Sequence, residues 1–237
     1  MKQFLTIAIV FFSVTGVFAQ KSKSENLQRF DNRKVHFGFS LGLNSGGFAL
    51  HRNPFNQFND SLASVDVVNQ SGFNLGIVSD YHIHKNFNVR FVPTLVFAQR
   101  NLNYIFVNET LGLPYSREIP IESTYIDFPV LFKYRSARLN NFAAYIVAGG
   151  KYSLDLASNE AVKNEDIPES IIKLKRNTTA AEVGVGTDFF LPYFKFAIEL
   201  KMSYTLDDAL IHDNTELSNP IERIAPKMFF LTFLFEG

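Results

Sequence analysis

VHFGFSLGLN, residues 35–44, alternates with a period of two: Val35, Phe37, Phe39, Leu41 and Leu43 fall on one face, His36, Gly38, Ser40, Gly42 and Asn44 on the other. Successive side chains of a strand leave on opposite faces, so the stretch reads as a β-strand with one large apolar face and one small, polar face. About ten residues is the length a tilted strand needs to cross a bilayer. The pattern recurs at 71–83, 87–100, 122–134, 142–152, 180–191, 193–204 and 227–236. The connections between these segments alternate in length. Those at 45–70, 101–121, 153–179 and 205–226 are long, whereas 84–86, 135–141 and the turn at Pro192 are short. Long connections on one side, short turns on the other and an even strand number predict an all-β fold, an eight-stranded antiparallel transmembrane β-barrel with long external loops, short periplasmic turns and both termini periplasmic.

Composition supports a membrane address. The chain has 237 residues, 46% of them hydrophobic, which is enough apolar surface for one ordinary domain and argues against disorder. Lys plus Arg and Asp plus Glu are both 23, so no net field favours a nucleic-acid partner. The absence of cysteine excludes disulfides, thiolate metal sites and a lipid-modified cysteine anchor. Phe accounts for 26 residues and Trp for none, which places the aromatic bulk in a side chain that makes no hydrogen bonds and tolerates lipid. At the start, Lys2 precedes an apolar run from Phe4 to Phe12 and a small-residue end with Val17 and Ala19, the pattern of a secretory signal peptide cleaved after Ala19. Its apolar core is shorter than the ~20 residues of a spanning helix. The expected organisation is a signal peptide at 1–19, a polar, solvated periplasmic lead-in at 20–34, and an outer-membrane barrel at 35–237.

Alternation alone does not say which face of a barrel is inside, because a lipocalin-like barrel and a membrane barrel share it. Volume and charge decide. The interior of eight strands is just wide enough for ordinary side chains, so the Phe-rich faces must point outward. The opposite faces carry Arg90, Arg100, Lys133, Lys151, Lys195 and Lys201 beside Asp80, Asp127, Glu182, Asp188 and Glu199. Turned toward lipid, each Lys or Arg at the midplane would cost roughly 2–4 kcal/mol. These eleven residues are therefore expected to form a salt-bridged network that fills the lumen and holds it shut. Pro93 and Pro129 fall within strands, where a missing ladder donor predicts bulges or local irregularity.

No catalytic machinery emerges. His36, His82 and His84 with Ser40, Ser71 or Ser79 supply residue types that a lipid hydrolase would use. His36 and Ser40 share a strand face, but four residues of strand separate them by about 13 Å, and no nucleophile elbow is present. His51 and His212 stand alone in connections and read as surface residues. No catalytic, cofactor-binding or metal-binding residue and no small-molecule substrate is expected, so outer-membrane lipid is the partner the residues themselves imply.

Three stretches, RFVPTLVFAQRNLNY (90–104), ESTYIDFPVLFKYRSARLNNFAAYIVAGGKY (122–152) and EVGVGTDFFLPYFKFAIELKMSY (182–204), resemble the PorT family of Bacteroidetes outer-membrane barrels. The similarity runs from about Phe37 to Phe235 and includes strand ends and turns. It implies a non-enzymatic part in the type IX secretion system, in which proteins bearing a C-terminal secretion domain are exported, with other secretion components as partners. The family offers no catalytic residues to carry over. A free-standing structural or adhesive barrel and a lipid-modifying enzyme are the alternative expectations.

Overall fold

The computed structural model describes residues 25–52, 62–107, 113–160, 172–213, 215 and 217–237. The expected signal peptide and the first residues of the lead-in lie outside them. Nine strands follow in order: β1 Val35–Arg52, β2 Leu62–His84, β3 Phe87–Phe91, β4 Thr94–Val107, β5 Pro114–Arg135, β6 Phe142–Asp155, β7 Asn177–Phe190, β8 Lys195–Thr205 and β9 Ile221–Glu236. Every neighbouring pair is antiparallel, and β1 pairs with both β2 and β9, so the sheet closes on itself and has no open edge around the ring.

β3 and β4 are two halves of one barrel strand, which makes the ring eight-stranded. Arg90 pairs with Leu131 and Thr94 with Asp127, so the register against β5 is the same before and after the interruption. The interruption is a loss of ladder bonding at Val92 and Pro93, without any inserted residue. Pro93 still accepts a bond from Ile77 N–H at 3.0 Å, and the Thr94 hydroxyl donates to Val92 O at 2.7 Å. Irregularity is thus found at Pro93 but not at Pro129, which sits in an unbroken β5 opposite Lys151. One missing donor is absorbed without bending the sheet there.

The long connections are shorter than the alternation indicates. Strand structure extends through Ser45–Arg52 and Leu62–Gln70 in the first, and through Asn101–Val107 and Pro114–Ile121 in the second. These segments project past the membrane band as paired ribbons, where both faces carry polar residues and the contrast that marks a lipid-facing strand is gone. A register shift between Asn69 and Phe73 adds to the difficulty. It flips the parity of β2, so that Asn74, Val78 and Asp80 are buried below it while Val65 is buried above it.

Outward-facing residues define the membrane band. Phe37, Ile77 and Phe132 are 64%, 67% and 65% exposed, values that suit a wall bathed in acyl chains. The band ends toward the hairpins at Ser45, Ser71, Gln99, Glu122, Thr179 and Lys227, and toward the turns at Lys34 and Lys85. About ten residues per strand lie between these limits, none of them outward and charged; at roughly 3.4 Å per residue and a tilt near 40° they span about 25 Å. Among the described residues no helix is long and apolar enough to cross a membrane.

Residues 25–34 are not a free solvated segment. A short 3-10 turn, Phe30–Asn32, tucks back across the turn end of the barrel, and Phe30 is buried against Ala143 and Phe190 with Leu27 beside them. The segment is pinned by polar contacts to the turns: Asn26 N–H donates to Asn141 Oδ1 at 2.8 Å, Asn26 Nδ2 to Phe190 O at 3.0 Å, and Arg138 donates to Asn26 O. Asp31 meets Arg135 at 2.8 Å and Arg138 at 3.5 Å.

Candidate functional site

The lumen gathers most of the buried charge among the described residues, and strand parity puts it there. Odd residues of β5, β6 and β8 and even residues of β7 and β9 point inward, so each strand contributes a spaced column of polar groups to a narrow interior. The charges sort into two clusters along the barrel axis.

The lower cluster, near the turn end, centres on Arg90, which is fully buried. Its guanidinium lies 3.2 Å from Asp80, 2.8 Å from Glu199 and 3.5 Å from Glu236. Asn88 donates to the other oxygen of Asp80 at 2.6 Å, and the Tyr145 hydroxyl donates to Glu199 at 3.0 Å. Lys133 grips both oxygens of Asp188, at 3.1 and 2.8 Å, with its ammonium 3.8 Å from the centre of the Tyr145 ring. Lys195 closes the cluster, 2.6 Å from Glu236 and 3.9 Å from Asp188. Gly186 faces Tyr145 across the β6–β7 ladder, and a Cβ there would collide with the tyrosine ring, so the missing side chain is what lets the ring lie across the lumen.

The upper cluster is a chain of four: Asp127 to Lys151 at 2.7 Å, Lys151 to Glu182 at 3.3 Å, and Glu182 to Lys201 at 2.9 Å. A cavity of about 20 Å³ separates the clusters, touching Ser40, Asn74, Asp127, Glu182, Glu199 and Lys201. That is room for about one water.

Arg100 stands apart. It is fully buried and has no carboxylate within 4 Å among the described residues. The Tyr125 hydroxyl accepts from its guanidinium at 2.9 Å, while the rings of Phe48 and Tyr125 lie 4.9 and 5.1 Å from it. Cation–π contact takes the place of an ion pair here. Ten of the eleven lumen residues named from the sequence therefore lie in the two ion-paired clusters, and Arg100 does not.

Glu236 and Tyr145 join the clusters without having been expected there from sequence. Glu236 is 1% exposed and holds both Lys195 and Arg90, bringing the two clusters to five cations and six carboxylates. Its position opposite the outward Phe229–Phe235 row was the available signal. Tyr145 shares the face of Lys151 but carries no charge, and its role depends on neighbours across the barrel.

Both ends are stopped. At the turn end Phe30 stacks on His36 with ring centres 3.7 Å apart, and His82 meets His36 edge-on at 5.1 Å. Among the described residues neither ring nitrogen of His36 has a hydrogen-bond partner, so His36 is not paired with Ser40 as base and nucleophile. At the hairpin end an apolar core fills the mouth, with Leu102, Tyr104, Ile119 and Ile224 from the ribbons packed against Ile172, Leu174, Leu210 and Leu217 from the connections. Backbone bonds from Lys175 N to Ala209 O and from Ile211 N to Lys173 O, 2.8 and 3.1 Å, tie two of those connections together as a lid. His51 and His212 are exposed, and among the described residues no group of three or more His, Cys, Asp or Glu could hold a metal ion.

The family model for the outer membrane protein beta-barrel domain matches residues 18–210. Among solved structures, the outer membrane protein OprG from Pseudomonas aeruginosa aligns at 14% identity and a TM-score of 0.42, covering 86% of this chain and 94% of its own. Neisserial surface protein A, NspA, aligns at 9% identity and 0.44, covering 85% and 98%. Ail, the attachment invasion locus protein of Yersinia pestis, solved with the heparin analogue sucrose octasulfate, aligns at 14% and 0.38, covering 86% and 100%. No curated protein matches the chain by sequence.

Proposed function

The chain belongs to the outer membrane protein beta-barrel domain family, and on that premise we propose that it is an accessory component of the type IX secretion system, needed for export of proteins carrying a C-terminal secretion domain. Membership places it in the bacterial outer membrane, with lipid against its wall. The secretion role rests on the resemblance of residues 90–104, 122–152 and 182–204 to the PorT family. The observation that shapes the role is the filled lumen: two ion-paired clusters between an apolar lid and an aromatic stopper leave no path for an extended polypeptide. The barrel therefore acts beside a conduit and not as one. In this reading the hairpins are external, both termini are periplasmic, and other secretion components are its partners; no catalytic step, nucleic acid or small-molecule substrate enters.

A deletion strain tests the proposal. C-terminal-domain cargo should accumulate in the periplasm, and the purified barrel in planar bilayers should show no large, stable conductance. Normal secretion in the deletion strain would reject the secretion role and favour a free-standing structural or adhesive barrel. Altered lipid A or phospholipid chains in that strain would favour a lipid-modifying enzyme instead.

A further inference from the structure

The outer wall carries an amphipathic trough. Between β7, β8, β9 and β1 lies an open groove of about 580 Å³ whose floor and sides include Val183, Val185, Leu200, Met202 and Phe229. Adjacent registers line these residues up: Phe229 pairs with Met202 and Met202 with Val183, while Leu231 pairs with Leu200 and Leu200 with Val185. The trough is lined mainly by apolar residues, with Asn44 and Lys201 also on its lining, and it is polar at its hairpin-side rim. There Ser45 and Ser71 line it, and the next row up pairs Tyr204 with Lys227. The Lys227 ammonium sits 5.2 Å from the centre of the ring of Phe229, which lines the groove. Among the described residues Lys227 has no carboxylate within 4 Å. This rim is also where the charge-free band of the wall ends, the level at which lipid headgroups begin.

We propose that this trough is a specific lipid site, holding an acyl chain of a phosphorylated glycolipid of the lipid A class with its phosphate on Lys227. The chemistry suits such a lipid: a mainly apolar trough below, then hydroxyls and, among the described residues, an ammonium without a carboxylate partner above. A cation at a membrane surface contributes enough to select an anionic headgroup. The choice of glycolipid rests on the external placement of the hairpins, which puts the rim in the outer leaflet.

The test is native mass spectrometry of the whole barrel released from mixed micelles containing bis-phosphorylated lipid A, dephosphorylated lipid A or phosphatidylglycerol. The intact protein should retain one bis-phosphorylated lipid A in preference to the dephosphorylated form. Lys227→Gln should weaken retention roughly fivefold, the effect of one basic residue near a membrane surface. Val183→Trp, which fills the trough from an outward position, should weaken it at least as much while leaving the heat-dependent gel shift of the folded barrel intact. Equal retention by all three proteins, or no preference for the phosphorylated form, would overturn the site. Preferential retention of phosphatidylglycerol would overturn the glycolipid assignment. Cell-surface labelling of Asn159→Cys reports independently on the orientation, so failure of the site and failure of the orientation are separable.

Discussion

Replacing Lys151 by Met isolates the energetics of the lumen network. Lys151 is the sole ion partner of Asp127 among the described residues, at 2.7 Å, and the second oxygen of Asp127 has no hydrogen-bond partner. Glu182, in contrast, keeps Lys201 at 2.9 Å when Lys151 is lost. The substitution therefore strands one buried carboxylate, not two, and should destabilise the barrel by about 3–5 kcal/mol. Pairing it with Asp127→Leu removes the stranded charge, and the double variant should recover more than half of that loss, because a buried ion pair replaced by apolar groups of similar volume is close to neutral. Glu182→Gln is the matched control. It leaves Lys151 on Asp127 and frees only Lys201, whose side chain is 12% exposed and can find solvent, so its cost should be less than half that of Lys151→Met. The chain has no Trp, so the folded fraction is best read from the heat-dependent gel shift across a denaturant series in lipid vesicles. A loss below about 1 kcal/mol for Lys151→Met would show that these carboxylates are solvated. A double variant as unstable as the single one would show that packing, and not charge, carries the effect.

Gly186→Ala should push the Tyr145 ring off Glu199 and lower stability, whereas Gly237→Ala should change nothing, since a Cβ at Gly237 meets open space; gel-shift midpoints separate the two. Asp31→Asn removes the contacts to Arg135 and Arg138, and amides of residues 25–34 should exchange faster with deuterium while the barrel core does not; unchanged exchange would mean that Phe30 alone seats the stopper. Asp208 accepts from the N–H groups of Leu210 and Ile224 at 3.1 and 3.0 Å; burial opposes its ionisation, yet these bonds and His212 hold its pKa below the ordinary carboxylate value. Its stabilising contribution is therefore full above about pH 3.9 and lost as pH falls through the lower folded value. Exchange at Leu210 and Ile224 should quicken with acidification in that window, and the Asp208→Asn protein should lack the dependence. On intact cells a cysteine at Asn159 should react with an impermeant thiol reagent and one at Lys85 should not; the reverse would place the hairpins in the periplasm. Positions 56 and 214, equally suited by sequence, lie outside the described residues.

How far the residues speak for themselves follows from what alternation measures. A period of two reports which face a side chain leaves by, and with Phe on one face and Lys, Arg, Asp and Glu on the other it settles strand number, membrane crossing and the inward direction of charge. It does not report which inward side chains meet. Arg90 and Glu199 are 109 residues apart, and Lys133 and Asp188 are 55 apart; only the tilt and closure of the sheet bring these columns to one depth. The same limit explains Arg100, whose inward direction is legible but whose aromatic partners are not. Alternation also fails once lipid no longer enforces it, as in the ribbons of β1, β2, β4 and β5 beyond the band and at the parity flip between Asn69 and Phe73. Phe30 offers no period at all, being one aromatic residue in a polar segment. Its place at the turn end is decided by contacts that exist only after the barrel has closed, with Ala143 and Phe190 packed against it and Arg135 and Arg138 held by the neighbouring Asp31.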